Sequence, residues 1–213
     1  MSTPTISTRV VAVDPDRPDR SVMRAAGALV EAGGLVAFPT ESFYGLGADA
    51  LDADAIARVF EVKGRPGGKP LLVLVDSVEM VTGLAADLPD GARALMARHW
   101  PGALTLVLEA SARVPAGLTG GTGTVGVRMS GHAVARALVA AAARPITAPS
   151  ANPSAAPPPV TAAATRAYFD GRVELILDGG STAGGAASTV ADCTVWPPRI
   201  LRQGPVVLEA SLG

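Results

Sequence analysis

Short apolar runs alternate along the chain with longer segments in which apolar residues recur at helical spacing. The runs typical of buried strands lie at 35–39, 71–75, 104–108, 125–129, 174–178 and 199–203. Helical spacing is found near 21–32, 53–63, 89–98, 132–143 and 161–169. This alternation predicts an α/β fold. Because 104–129 carries no convincing helix, we expect a mixed β-sheet rather than a purely parallel one.

Length and composition predict a folded globular protein. The 213 residues are enough for a single α/β domain, and we expect one domain over 1–213. Hydrophobic residues make up 48% of the chain, which supplies a core and argues against disorder. The segment PSAAPPPVT at 153–161 could link two domains. An ordered loop over a site is the better interpretation, because the remainder of about 50 residues is small for independent folding.

Charge and cysteine content exclude several classes of protein. The net charge of −1 argues against a broad cationic face for nucleic acid but leaves a local basic pocket open. Cys193 is the only cysteine, so intrachain disulfides and Cys-based metal clusters are excluded and a cytoplasmic location is expected. The N-terminus lacks the apolar stretch of a signal peptide, and no membrane segment is predicted. With two histidines, a His-rich zinc site is not expected, although carboxylates could hold a transient Mg²⁺.

Three cations lie in the short loop KGRPGGKP, which joins a predicted helix to a predicted strand. The helix ends at Lys63, because Gly64 can take the left-handed conformation that terminates helices. Lys63 or Arg65, taken alone, could be explained by the favourable interaction of a cation with the C-terminal end of the helix dipole. Together with Lys69, they form a cationic group on a loop restrained by glycine and proline. This combination indicates an anion such as a polyphosphate or an acidic small molecule.

Polar residues follow the predicted strand 35–39 in the segment FPTESFYGLGAD. Ligands of open α/β sheets usually bind beyond strand ends, so Thr40 is a candidate ligand-binding residue. Gly45 and Gly47 would let the backbone approach a ligand closely. The alternative is an ordinary polar turn, with Tyr44 as a lid on the core.

A third polar group lies in ITAPSANPS at 146–154. If this segment is extended, its period of two places Ser150 and Asn152 on one face, where they could hold phosphate or ribose oxygens. The alternative is a capping interaction or an Asx turn.

Two glycine-rich segments do not support a known phosphate loop. GTGTVG at 121–126 fits G-x-G-x-x-G but leads into a predicted strand instead of a helix, and GGSTAGG at 179–185 lacks the G-K-[ST] of a Walker A loop. The nucleophile elbow is absent, and His99 and His132 lie at predicted helix edges. A reaction whose nucleophile belongs to the substrate, such as phosphoryl or nucleotidyl transfer, would need only positioning and charge neutralisation from this chain.

Seven segments occur together in a recognisable order and rough spacing: FPTESFYGLGADA, KGRPGGKPLLVLV, WPGALTLVL, VGVRM, APSAN, ASTVADCT and ILRQGPV. From about residue 20 to 206 the chain resembles the YrdC-like family, the threonylcarbamoyl-AMP synthases. The resemblance implies a twisted mixed β-sheet flanked by helices around a central basic cavity. It implies that L-threonine, bicarbonate and ATP are joined into threonylcarbamoyl-AMP with release of pyrophosphate, for the t6A37 modification of tRNA. Mg²⁺ is expected in addition, to neutralise charge on the phosphates.

The resemblance also implies roles for individual residues. A tetrad around the nucleotide phosphates is formed by Lys63, Arg65, Ser150 and Asn152. Further ATP contacts are implied for Thr124 and Arg202. The threonine-binding positions correspond to Thr40, Lys69, Arg128 and Ser188. A tRNA-modifying transferase complex would act downstream, and neither stable nucleic-acid binding nor a membrane is required.

The chain departs from the family pattern at three points. Lys69 stands where Asn or His is frequent, and Pro158 stands where a serine contact is expected. The sequence ends at Gly213 without an extra C-terminal domain, so it resembles the short bacterial type. The alternatives are a paralogue that acts on another carbamoyl or adenylate substrate, as in hydrogenase-maturation carbamoyltransferases, and an RNA-binding module. Salt-dependent RNA binding would distinguish the latter.

Overall fold

The strands form two sheets in the computed structural model, which describes residues 6–208. The four-stranded sheet contains β1 (Arg9–Ala12), β8 (Leu175–Asp178), β2 (Val36–Pro39) and β3 (Tyr44–Gly47), in that order. The six-stranded sheet contains, in order, β10 (Arg199–Arg202), β9 (Thr189–Asp192), β5 (Leu104–Glu109), β6 (Thr124–Arg128), β4 (Leu72–Leu74) and β7 (Ile146–Thr147). The expected domain, 1–213, thus includes ten terminal residues, 1–5 and 209–213, that lie outside the described residues.

Each sheet contains both parallel and antiparallel pairs. In the first sheet β8 pairs in parallel with β1 and β2, whereas β3 is antiparallel to β2. In the second sheet β5 is antiparallel to β6 and parallel to β9. Isolated bridges join the two sheets, one between Gly45 and Ser150 and one between Asp49 and Ile146. The predicted α/β class with mixed strand pairing is confirmed.

Helices cover both sheets. Their bounds are α1 (Arg20–Glu31), α2 (Ala53–Lys63), α3 (Val78–Leu84), α4 (Asp90–His99), α5 (Ala116–Thr119), α6 (Ala133–Ala142) and α7 (Ala162–Phe169). All five predicted helices are present within one residue of the predicted ends. Helix α3 and the single turn α5 were not predicted, nor were strands β1, β3, β7 and β9.

Helix α2 ends where the sequence predicts. Asp52 begins it by accepting hydrogen bonds from two backbone N–H groups of the first turn, which satisfies donors that have no partner within the helix. Gly64 ends it with φ 55°, in the left-handed region that glycine adopts without strain. The cationic loop therefore starts at a fixed point.

The two glycines of strand β3 serve packing. The Phe38 ring, fully buried, lies against them: a Cβ added at Gly47 would be 2.9 Å from the ring, and one at Gly45 would be 3.2 Å from it. The sequence interpretation, close approach of a ligand to both glycines, is therefore wrong for Gly47. Gly45 also faces the cavity described below.

Helices α1 and α6 meet at a glycine, which gives a stability prediction. A Cβ at Gly27 would lie 2.6 Å from the backbone carbonyl carbon of Ala141, so the helices must separate in a Gly27→Ala variant. We expect the free energy of unfolding to fall by about 1–3 kcal/mol in urea denaturation, as for other overpacked sites.

Gly83 supplies the matched control, because it also lies in a helix but a Cβ there would meet no atom within 4 Å. Gly83→Ala should leave stability unchanged or raise it by up to about 1 kcal/mol, since alanine is the better helix former. Equal effects at the two positions would contradict the packing argument.

Candidate functional site

A cavity of about 320 Å³ lies where the two sheets meet. Six of the ten residues proposed from the sequence line it: Thr40, Arg65, Arg128, Ser150, Ser188 and Arg202. They come from widely separated parts of the chain and reach the cavity because strand ends converge there. Thr40 follows β2, Arg128 ends β6, and Ser188 precedes β9.

Arg128 is buried and held by two fixed partners. Its side chain is 5% exposed, and its Nε donates to the carbonyl oxygen of Gly102 at 2.9 Å. One of its Nη atoms forms an ion pair with Glu41, from the turn after β2. Two of the five N–H donors of the guanidinium are thereby used, and the others remain for a ligand.

Ser188 and Arg202 form a second anchored group in the cavity. The Arg202 guanidinium donates from Nε to the Ser188 carbonyl at 3.0 Å and from Nη2 to the Ser188 hydroxyl at 3.1 Å. That hydroxyl also lies 2.8 Å from the Thr105 hydroxyl. Burial, and then the charge of Arg128, lower the pKa of Arg202, so the cavity holds two cations that repel each other.

Lys63 is buried beside the cavity but does not line it. Its Nζ donates to the carbonyl oxygens of Ser150 at 2.5 Å and Asn152 at 2.6 Å. Burial, together with the charge of Arg65, lowers its pKa to about 8. The ammonium thus fixes the loop after β7 and places Ser150 at the cavity wall.

Arg65 lies in the loop after α2 with an incompletely bonded guanidinium. Its Nη2 donates to the Pro70 carbonyl at 3.2 Å, and the guanidinium lies 6.0 Å from the centre of the Phe60 ring. Its Nε is buried without a hydrogen-bond partner among residues 6–208. Burial lowers the pKa of this group. A buried donor with no acceptor is the arrangement that an anionic ligand would complete.

Asn152 does not line the cavity with Ser150. Its amide nitrogen donates to the carbonyls of Pro153 at 3.0 Å and Ala156 at 2.7 Å, and its Oδ1 is buried without a partner in the described part of the chain. The chain bends at 151–152, so the period of two expected for an extended segment does not hold. The amide nitrogen instead bonds within its own turn, and because Oδ1 accepts no backbone N–H among the described residues, this is neither a helix cap nor an Asx turn. A role for Asn152 at the nucleotide stays a prediction.

Two further residues proposed from the sequence also lie outside the cavity lining. Thr124 begins β6 and its hydroxyl lies 2.9 Å from that of Thr122. Lys69 is exposed in the loop after α2. Their contacts with ATP and threonine stay predictions.

Two further residues discussed from the sequence line the cavity. Pro158, which stands where a serine contact is expected, belongs to the loop 153–161, and this fits the interpretation of that segment as an ordered loop over a site. Tyr44, interpreted as a lid on the core, is fully buried and also lines the cavity. Glu41 was seen as part of a polar cluster but not as the partner of Arg128. Its only signal was its place two residues after the end of β2.

The site therefore presents three arginines and no acidic residue among those that line it. Within residues 6–208, no group of three or more His, Cys, Asp or Glu residues could hold a metal ion. None of the helices in that same range is long and apolar enough to cross a membrane. Guanidinium groups from several elements around one cavity are suited to bind an anion with more than one charged group.

Comparison with known proteins identifies the family. A family model described as telomere recombination, for the Sua5, YciO and YrdC proteins, matches residues 28–204. A threonylcarbamoyl-AMP synthase from Pyrococcus abyssi is 48% identical over 91% of this chain, which spans 57% of that relative. A Mycobacterium tuberculosis protein is 42% identical over 92% of this chain and 89% of its own length.

Solved structures agree with this assignment. A crystal structure of Pyrococcus abyssi Sua5 complexed with L-threonine matches 92% of this chain and 57% of that chain, with a TM-score of 0.88 and 47% identity. Escherichia coli YciO matches 93% of this chain and 96% of its own, with a TM-score of 0.84 and 26% identity. The chain therefore belongs to the Sua5, YciO and YrdC family.

Proposed function

We propose that this chain is a cytoplasmic L-threonylcarbamoyladenylate synthase built as a single YrdC-like domain. It condenses L-threonine, bicarbonate and ATP to threonylcarbamoyl-AMP and diphosphate, and a transferase complex then uses the product for the t6A37 modification of tRNA. The observation that carries the proposal is the convergence of Arg65, Arg128 and Arg202 on one cavity. The chain's identity of 48% to a threonylcarbamoyl-AMP synthase supports the substrate choice.

The positions of the cations suggest how the substrates divide the cavity. Arg65 has an unpaired buried donor and lies beside Lys63, so this end suits the phosphates of ATP, with the Ser150 hydroxyl close by. Arg128 is rigidly held and offers its free donors to the threonine carboxylate. Thr40 and Ser188 supply hydroxyl groups on the same cavity wall.

The chemistry needs no nucleophile from the protein. The threonine amine attacks the carbon of bicarbonate and, with loss of water, forms a carbamate. A carbamate oxygen then attacks the α-phosphorus of ATP, the bond to the bridging oxygen breaks, and pyrophosphate leaves with the electron pair. The arginines hold the reactants, and their charges together with the nearby charge of Lys63 offset the developing negative charge, which is an electrostatic form of catalysis.

Magnesium is expected to arrive with ATP as part of the substrate. The cavity lining includes no carboxylate, and Glu41 behind it is already bonded to Arg128. The described residues therefore do not provide a dedicated magnesium site. Mg²⁺ commonly keeps several water ligands and binds substrate phosphates, which is compatible with this lining.

Pyrophosphate release tests the proposal directly. Purified protein with MgATP should release pyrophosphate only when L-threonine and bicarbonate are both present, and tRNA should not be needed. Cys193→Ser should retain activity, because Cys193 is buried and burial raises the pKa of its thiol to about 12. A strict requirement for tRNA, or undiminished release without threonine, would refute the assignment.

A further inference from the structure

Glu41 connects the two sheets at the edge of the cavity through three hydrogen bonds. Its Oε2 accepts from Arg128 and from the Ser130 hydroxyl at 2.8 Å, and its Oε1 accepts from the Gly131 N–H at 2.6 Å. Burial alone would raise the pKa of Glu41, but the charge of Arg128 and these bonds bring it below its ordinary value. The side chain is therefore a fixed anion.

The Glu41 carboxylate offsets the charge of one of the three arginines that line the cavity. Arg128 has an acidic partner, whereas Arg65 and Arg202 form no ion pair with any carboxylate in residues 6–208. The three arginines line the same cavity, and among them Arg128 alone has its charge offset by a carboxylate of the described residues.

We propose that Glu41 determines anion specificity, by restricting Arg128 to a singly charged carboxylate and keeping polyphosphate on Arg65 and Arg202. Glu41 is a positioning residue, which acts on ligands through Arg128. The inference deepens the proposed function and rests on it for the identity of the carboxylate as that of threonine.

The physical basis is the difference in charge between the competing ligands. A carboxylate brings one negative charge to the free donors of Arg128, and the geometry set by Gly102 and Glu41 keeps those donors in a fixed plane. Pyrophosphate brings several negative charges close to the Glu41 carboxylate. Repulsion in a partly desolvated site makes that placement costly, so the site discriminates by an unfavourable contact as well as by a favourable one.

A purely structural role is the alternative, since Glu41 also joins residues of the two sheets. The substitution Glu41→Gln keeps the volume and an acceptor for the Gly131 N–H but removes the charge. A structural role predicts a lower melting temperature with unchanged ligand preference. The specificity role predicts a changed preference whatever happens to the melting temperature.

Calorimetric titration of the purified chain with L-threonine and, separately, with inorganic pyrophosphate measures this preference. In Glu41→Gln we expect the ratio of pyrophosphate affinity to threonine affinity to rise at least about tenfold. The matched control is Glu174→Gln, because Glu174 pairs with Arg58 at a similar side-chain exposure, 26% against 29%, away from the cavity. This control should change the ratio by less than about twofold.

Combining Glu41→Gln with Arg128→Met shows whether the increased pyrophosphate affinity depends on Arg128. In the Arg128→Met background Glu41→Gln should no longer raise pyrophosphate affinity, because the released cation is absent. Arg128→Met alone should weaken threonine binding at least about thirtyfold and change pyrophosphate affinity less than about twofold, a comparison that stands even if Glu41→Gln does not fold.

The results separate the two proposals. An unchanged ratio in Glu41→Gln, or an equal loss of both ligands in Arg128→Met, overturns the specificity role. If the wild-type chain does not bind threonine, the proposed function fails, whereas a pyrophosphate gain in Glu41→Gln that depends on Arg128 still supports the role of Glu41.

Discussion

Lys63→Met should reduce pyrophosphate release by about 10²–10³-fold, the loss typical of removing one preorganised electrostatic group. The ammonium donates to the carbonyls of Ser150 and Asn152, and it lies close enough to Arg65 for their charges to interact. Methionine has similar length but no donor. The variant should therefore lose both the charge near the phosphates and the position of Ser150. Steady-state release of pyrophosphate with saturating threonine measures the effect.

In the wild-type protein, ATP affinity should fall with rising pH as Lys63 loses its charge. The pKa of Lys63 is about 8 in the folded chain against 10.5 for the free side chain, so the folded protein loses the Lys63 charge above about pH 8. Affinity for ATP should fall through this range. In the unfolded chain the proton is held up to about pH 10.5, so the Lys63 contribution to the free energy of unfolding increases between pH 8 and 10.5.

Two variants make these results specific. Lys63→Arg stays charged, so the decrease in ATP affinity above about pH 8 should be absent even if its activity is lower. Lys69→Met removes the same charge from an exposed position in the same loop, and at saturating threonine, where weaker threonine binding does not limit the rate, it should reduce activity less than about threefold. A loss of activity of the same size in Lys69→Met would indicate that the phosphates bind near the exposed part of the loop instead of near Lys63.

Most elements could be predicted from local patterns, and the missed ones show why others could not. Strand β3 (Tyr44–Gly47) has glycine at two of its four residues, because the Phe38 ring occupies the space of their side chains. Strand β7 (Ile146–Thr147) has two residues, too few for a periodic signal. Helix α3 has seven residues after its Ser77 cap, which is shorter than the window over which helical spacing can be recognised.

The site was predictable in its residue types more than in its contacts. Strand ends carry Thr40 and Arg128, and the resemblance to known family motifs supplied Ser188 and Arg202. The Glu41–Arg128 pair joins residues 87 apart, and no local pattern predicts such a contact. For Asn152, a local pattern predicted a position that the structure does not show. The period of two requires extended backbone, and the chain bends there.

The last prediction concerns Arg65 and the helix dipole. Arg65→Met should lower pyrophosphate release at least about a hundredfold and change the melting temperature little. Its guanidinium bonds to Pro70, outside α2, and its buried Nε has no partner in residues 6–208, so the free protein gains little from this side chain. A triphosphate would supply the missing acceptor.

Arg172 separates this role from the simple stabilisation of a helix end. It is Arg172 that donates to the Glu61 carbonyl in the last turn of α2, at 3.1 Å from an exposed position. Arg172→Met should therefore lower the melting temperature slightly and leave pyrophosphate release unchanged. Thermal unfolding and steady-state kinetics of both variants decide the matter. If Arg65→Met loses stability while its activity is unchanged, Arg65 stabilises the loop after α2 and the phosphates bind elsewhere in the cavity.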